Sequence, residues 1–184
     1  MATPPVFVAG QVLTAAQLNK VGLWVTKSET AFSAASSVTA DNVFTSDFTN
    51  YRVLIRYQTS TTGAISMKMR VGGVSASTNY NTQDLLASGT SLSGARLTAQ
   101  TSAQIGVYTN GAFPSFITID LSGPNLAENT QFTSVDSHNL GAFTSIRYAT
   151  TIGNHSTATA YDGIELLVAS GNMTGTYTIY GYRK

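Results

Sequence analysis

The chain is 184 residues long and only 10% charged, with 10 Lys and Arg against 9 Asp and Glu for a formal net charge of +1. So sparse and balanced a charge, with no basic run, excludes a nucleic-acid partner and an anionic membrane surface. The absence of cysteine removes disulfide frameworks, thiolate zinc sites and thiol nucleophiles together.

The length suits one domain, or a domain with an appendage. Ser and Thr number 47 and Gly 16, and a chain rich in Thr, Val, Ile and Tyr but poor in charge favours pleated structure over helix. Uncharged β edges aggregate unless paired or covered, and assembly is one way to cover them. The opening MATPPVFVAG has neither the basic segment nor the continuous apolar segment of a signal peptide, and no run of about 18 apolar residues could span a bilayer. The expectation is a protein made in a cytoplasm, without membrane insertion.

Residues 6–24, VFVAGQVLTAAQLNKVGLW, hold the one helix signal. Thr14 is an N-cap, Gln17 closes a capping box, and Leu13 with Leu18 forms a hydrophobic staple. Gly22 stops the helix after roughly two turns, below the ~12–15 residues at which an isolated helix is even marginal. Something outside the segment must hold it, either its own domain or a partner.

A short first strand is expected at LWVTKS, then an irregular strand and turn over residues 38–50. YRVLIRYQT (51–59) alternates, with Tyr51, Val53, Ile55 and Tyr57 on one face. ISMKMRVG (65–72) does the same with Ile65, Met67, Met69 and Val71, and the two are expected to form a hairpin. Residues 72–94 are turn-rich and read as a surface excursion with a short strand around Tyr80. ARLTAQTSAQIGVYTNG follows, ending on Asn110-Gly111, a tight-turn pair. SFITIDLSG sets Ile117, Ile119 and Leu121 against Phe116, Thr118 and Asp120. Two further alternating runs, NTQFTSVDSHN and FTSIRYATTIG, precede YDGIELLVAS and the last strand, GTYTIYGYRK. That strand is aromatic on both faces and so predicted to be paired and covered on both sides.

Eight to ten strands at these spacings predict an all-β fold, an antiparallel β-sandwich or jelly-roll-like domain over residues 25–184. An extended N-terminal arm with one short helix, residues 1–24, precedes it. No heptads and no repeat of 20–50 residues point to a coiled coil or solenoid.

Chemistry-bearing residues are few. His138 and His155 lie among Ser, Asn and Thr with no second His at metal-ligand spacing, and are expected at the surface or in turns. Asp120, Asp136, Asp162 and Glu165 are the acids that could supply a pair for glycoside hydrolysis. Asp120 and Asp136 are expected on solvent faces, however, and Asp162-Gly163 reads more simply as a turn or bulge. No nucleophile elbow and no phosphate-cradling loop occurs. No catalytic residue, metal ligand or cofactor site is therefore assigned. Of the nine tyrosines, most fall on strand positions suited to packing; Tyr80 and Tyr108, near turn-rich segments, are the candidate receptor contacts.

The two ends of the chain resemble one protein group. PPVFVAGQVLTAAQLNKVGLW is similar to the opening of many bacteriophage virion proteins, tail or fibre-type components in particular. GNMTGTYTIYGYRK resembles the closing strand of the same group, and NVFTSDFTNYRVLIRY its early strand. The resemblance implies a non-enzymatic virion structural protein that displays a β-sandwich at the particle surface and docks onto other virion proteins through its N-terminal arm. The docking residues would be Val6, Phe7, Val12, Leu13 and Leu18. It further implies a symmetric homo-oligomer, a trimer by analogy with phage fibres. A capsid decoration or head-fibre protein, and a module binding a host-surface glycan or receptor, are the alternative readings.

Overall fold

The computed structural model describes residues 22–109, 113–139 and 146–183, together with Gly10 and Val12. The arm residues Val6, Phe7, Leu13 and Leu18 and the helix expected after Thr14 lie outside the described residues, while Val12 is exposed. Thirteen strands form among the described residues. In chain order they are β1 (Leu23–Ala35), β2 (Ser37–Ala40), β3 (Phe48–Thr59), β4 (Gly63–Val71), β5 (Val74–Ser75), β6 (Tyr80–Ser88) and β7 (Ser91–Gln100). There follow β8 (Ala103–Thr109), β9 (Ser115–Ser122), β10 (Thr130–Asn139), β11 (Ile146–His155), β12 (Gly163–Val168) and β13 (Met173–Arg183).

The fold is an all-β antiparallel sandwich. One sheet has eight strands in the order β1-β13-β3-β9-β10-β11-β6-β7; the other holds β2-β12-β4-β5, with β8 on the free edge of β4. Alternation decides what lies between them. Tyr51, Val53 and Ile55 of β3, Ile117, Ile119 and Leu121 of β9, and Tyr177 and Ile179 of β13 face Ile65, Met67 and Met69 of β4 and Ile164 and Leu166 of β12 in one buried cluster. Each such side chain contributes about 1.5–3 kcal/mol by leaving water. The 41–47 connection closes one end: the Val43 and Phe44 amides both donate to the Asp162 carbonyl, at 2.8 and 3.0 Å, and Phe44 packs its ring 4.7 Å from that of Tyr51.

The last strand is held as expected, paired to β1 on one edge and β3 on the other. Gly181 lets Phe48 lie flat on it, since a Cβ there would overlap the Phe48 ring.

Several expectations are corrected. β3 and β4 do not form a hairpin: the turn between them carries the chain from one sheet to the other, so each strand meets its own set of neighbours. Val71, at the tip of β4, is exposed rather than inward. Residues 72–94 are not a surface excursion. They contain β5, β6 and the start of β7, and β6 is a central strand paired to both β11 and β7. Polar composition misled there because the outer face of this hairpin is solvated and its inner face is itself half polar. The first strand is long, thirteen residues with three register shifts, and the strand total exceeds eight to ten because short edge strands escape periodicity.

Nor are the histidines surface residues. His155 is buried, its ring 4.3 Å from that of Tyr80 and 5.2 Å from that of Tyr161, with Nδ1 3.1 Å from the Tyr161 hydroxyl. Burial pulls its pKa below the ordinary imidazole value. His138 is buried with Nδ1 3.0 Å from Oδ2 of Asp136. Asp136 thus faces the interior, not solvent, as does Ser134, whose hydroxyl donates to the Ile105 carbonyl of β8 at 2.9 Å.

The neutral form of His155 is the one the fold accommodates, whereas the unfolded chain takes up a proton near pH 6.5. Stability from this residue is therefore present above that pH and declines as pH falls through it. His155→Phe should narrow the difference in urea midpoint between pH 7 and pH 5; an unchanged difference would place the titration elsewhere.

Candidate functional site

The outer face of the eight-stranded sheet is set by register. At one end a polar row runs Tyr182, Asn50, Ser122, Gln131, Asn154 and Asn81 across six strands. Beside it runs Arg52, Asp120, Thr133, Ile152, Gln83 and Arg96. A trough of about 760 Å³ opens over these two rows, within the roughly 300–1,000 Å³ usual for ligand sites. Irregularities flank it on both sides, one at Tyr182/Arg183 and one at Tyr80/Thr82. The second faces Ala99, whose φ is 53°. Bulges bend a strand and raise its twist, which curves the sheet around the trough.

The lining is pre-organised by its own hydrogen bonds. Asn81 donates through Nδ2 to Oδ1 of Asn154 at 2.9 Å and accepts on Oδ1 from the Ala99 amide at 3.0 Å. Gln83 Nε2 donates to the Ala95 carbonyl at 2.9 Å. Those bonds leave Asn154 Nδ2 and Gln83 Oε1 to point at a ligand. Asn50, Gln131 and Arg96 have no side-chain partner among the described residues.

Electrostatics divide the trough. Arg52 grips Asp120 with two 2.8 Å bonds, and the Tyr182 hydroxyl donates to the same carboxylate at 2.7 Å. The Arg52 guanidinium, helped by Tyr182, holds the Asp120 carboxyl below the ordinary range against the opposing effect of burial. Burial and the adjacent carboxylate push Tyr182 up. Among the described residues Asp120 is the one carboxylate lining the trough and is already neutralised, so the uncompensated charge that they bring there is that of Arg96. Such an array can bind and orient a ligand rich in hydroxyls.

The other end of the same face is apolar. Phe116, Tyr148 and Leu92 share one row and Val135 and Leu85 the next; all five are exposed, Leu92 at 73%.

The candidates read from sequence fare unevenly. Asp120 points outward as expected. Asp136 is interior, on the opposite face of the same sheet, while Asp162, just before β12, and Glu165, within β12 of the other sheet, accept from the Gly72 amide at 2.9 Å and the Ser75 hydroxyl at 2.6 Å. Asp120 and Asp136 therefore cannot act as a pair. Tyr80 is corrected as a receptor contact: it is wholly buried, its hydroxyl accepting from the Met69 amide at 2.8 Å and donating to the Ala76 carbonyl at 3.1 Å. Tyr108 belongs to β8, and its side chain lies outside the described residues. The trough residues were missed because each strand shows only a polar face; an amide near one end of four separate strands was the available signal. No family model, curated protein or solved structure matches the chain.

Gly153, under the trough, has no room for a side chain: a Cβ would overlap the Phe132 ring and the Asn81 carbonyl oxygen. Gly153→Val should lower stability by about 1–3 kcal/mol, read as an earlier urea midpoint. For Asp120, whose folded pKa is depressed, the stabilising contribution is present above about pH 4 and is lost as pH falls through the lower folded value. Asp120→Asn should cost about 0.5–1 kcal/mol at pH 7, given the exposure of the pair, and progressively less as the pH is taken below about 4.

Proposed function

We propose that the chain is a non-enzymatic structural protein of a bacteriophage particle, tail- or fibre-associated. It docks through its N-terminal arm, residues 1–24, and displays the sandwich at the particle surface. The resemblance of its two ends to virion proteins supports this reading, and the observation that carries it is the outer face of the large sheet. Phe116, Val135, Tyr148, Leu85 and Leu92 are exposed together at one end of that face. A monomeric soluble domain rarely keeps so many large apolar groups together in water, and with 10% charged residues little charge surrounds them. Symmetric packing of copies, a trimer on the fibre analogy, would cover that end.

A second reading has its own support. The pre-organised trough on the uncovered polar end suits a module that binds a host-surface glycan or receptor, a role compatible with display on the particle.

β1 begins at Leu23, so removal of residues 1–21 leaves intact every strand among the described residues. The truncated protein should keep its β-type circular dichroism and cooperative unfolding yet fail to enter particles assembled in its presence. Particles that carry it at full occupancy would overturn the docking role.

A further inference from the structure

The trough's chemistry narrows what it takes. A nucleic acid needs several free cations along its backbone, and here Arg52 is consumed by Asp120, leaving Arg96 as the one free cation of the trough among the described residues. An extended peptide gains affinity by adding to a sheet edge. The trough instead crosses the middle of the sheet, where the backbone groups of β9, β10, β11 and β6 are taken up by neighbours on both sides. Only side chains are left to recognise the ligand, and these are mostly amides and hydroxyls.

Side-chain amides both donate and accept from one plane, which matches a ligand whose every hydroxyl does the same. Asn50, Gln131 and Asn154 place such groups along one row, with the Ser122 hydroxyl between the first two, and Gln83 adds another in the adjoining row, over strands about 4.8 Å apart. Ile152, 59% exposed between Thr133 and Gln83, offers an apolar platform at mid-trough, and Tyr182 a ring at one end. Both suit the C–H face of a sugar ring. At the opposite end Arg96 presents an unpaired planar fork, the geometry that takes a carboxylate by two parallel hydrogen bonds.

We propose that the trough binds an extended oligosaccharide, lying across the strands from Tyr182 to Arg96, with a carboxylate-bearing sugar at the Arg96 end. The path crosses six inter-strand gaps, about 29 Å, which calls for several linked sugars. The inference deepens the display reading and rests on it for its biological setting, because the face must be turned outward on the particle. Binding by the isolated chain does not depend on docking, so the two can fail separately.

The test uses purified full-length protein on an array of oligosaccharides, half carrying uronic or sialic acid residues and half uncharged, followed by titration calorimetry with the strongest glycan. Signal is expected on the carboxylate-bearing members. Arg96→Gln should weaken binding about tenfold or more, with Arg96→Lys between it and the parent. Gln131→Ala should weaken binding to acidic glycans and to any neutral one retained, whereas Arg56→Gln, on the same face outside the trough, should change nothing. Unfolding midpoints equal to the parent's would show that the exposed Arg96 and Gln131 variants remain folded. An array without signal, a preference for uncharged glycans, indifference to Arg96→Gln, or capture of peptides in place of sugars would each overturn the proposal.

Discussion

The burial of alternate side chains between two antiparallel sheets is the constraint on which the rest of this molecule depends. The inward residues of β3, β9 and β13 form an apolar floor of Tyr, Val, Ile and Leu, and Met67, Met69, Ile164 and Leu166 close over it. Because side chains on a strand alternate strictly, committing one set to the core commits the other to the outside. The position of Asn50, Gln131, Asn154 and Gln83 on a single outer face follows from where Tyr51, Phe132, Gly153 and Thr82 must go.

The inner face is not uniform, and the difference has a physical origin. Its β10–β11–β6 half carries Ser134, Asp136, His138, Thr151 and Asp84, all buried. β8 lies against it and supplies a carbonyl to Ser134, and Gly106 brings its backbone near Ile117 and the Asp136 carboxylate, where a Cβ would come within 3.2 Å of Oδ2. Burying polar groups is unfavourable unless they find partners. Here Ser134 bonds to the Ile105 carbonyl and His138 to Asp136, but Asp136 Oδ1, His138 Nε2 and Thr151 Oγ1 have no partner among the described residues, so this half is held less firmly than the half built on apolar area.

On the outer face the same alternation yields two surfaces with different affinities for water. The apolar end asks for cover by another molecule. At the polar end Asn81, Asn154 and Gln83 are held by hydrogen bonds, which lowers the entropy those three lose on meeting a hydroxyl-rich ligand, while Asn50, Gln131 and Arg96 keep their side-chain polar groups unpartnered among the described residues.

Local pattern in the chain was enough to determine the all-β class, the inward residues of β3 and β9, those of β4 as far as Met69, and that the last strand is paired, because period-two alternation and burial are properties of a few adjacent residues. It also placed Asp120 outward. Tertiary structure alone decided which strands are neighbours: that β3 and β4 part into different sheets, that β6 is central and buries Tyr80, and that Asp136 and His138 turn inward together. It alone aligned amides from four distant strands into one row. Those outcomes depend on register between segments far apart in the chain, as when Asn50 and Tyr182, 132 residues apart, meet, and the free energy that sets such register is gained only when the sheets close on each other.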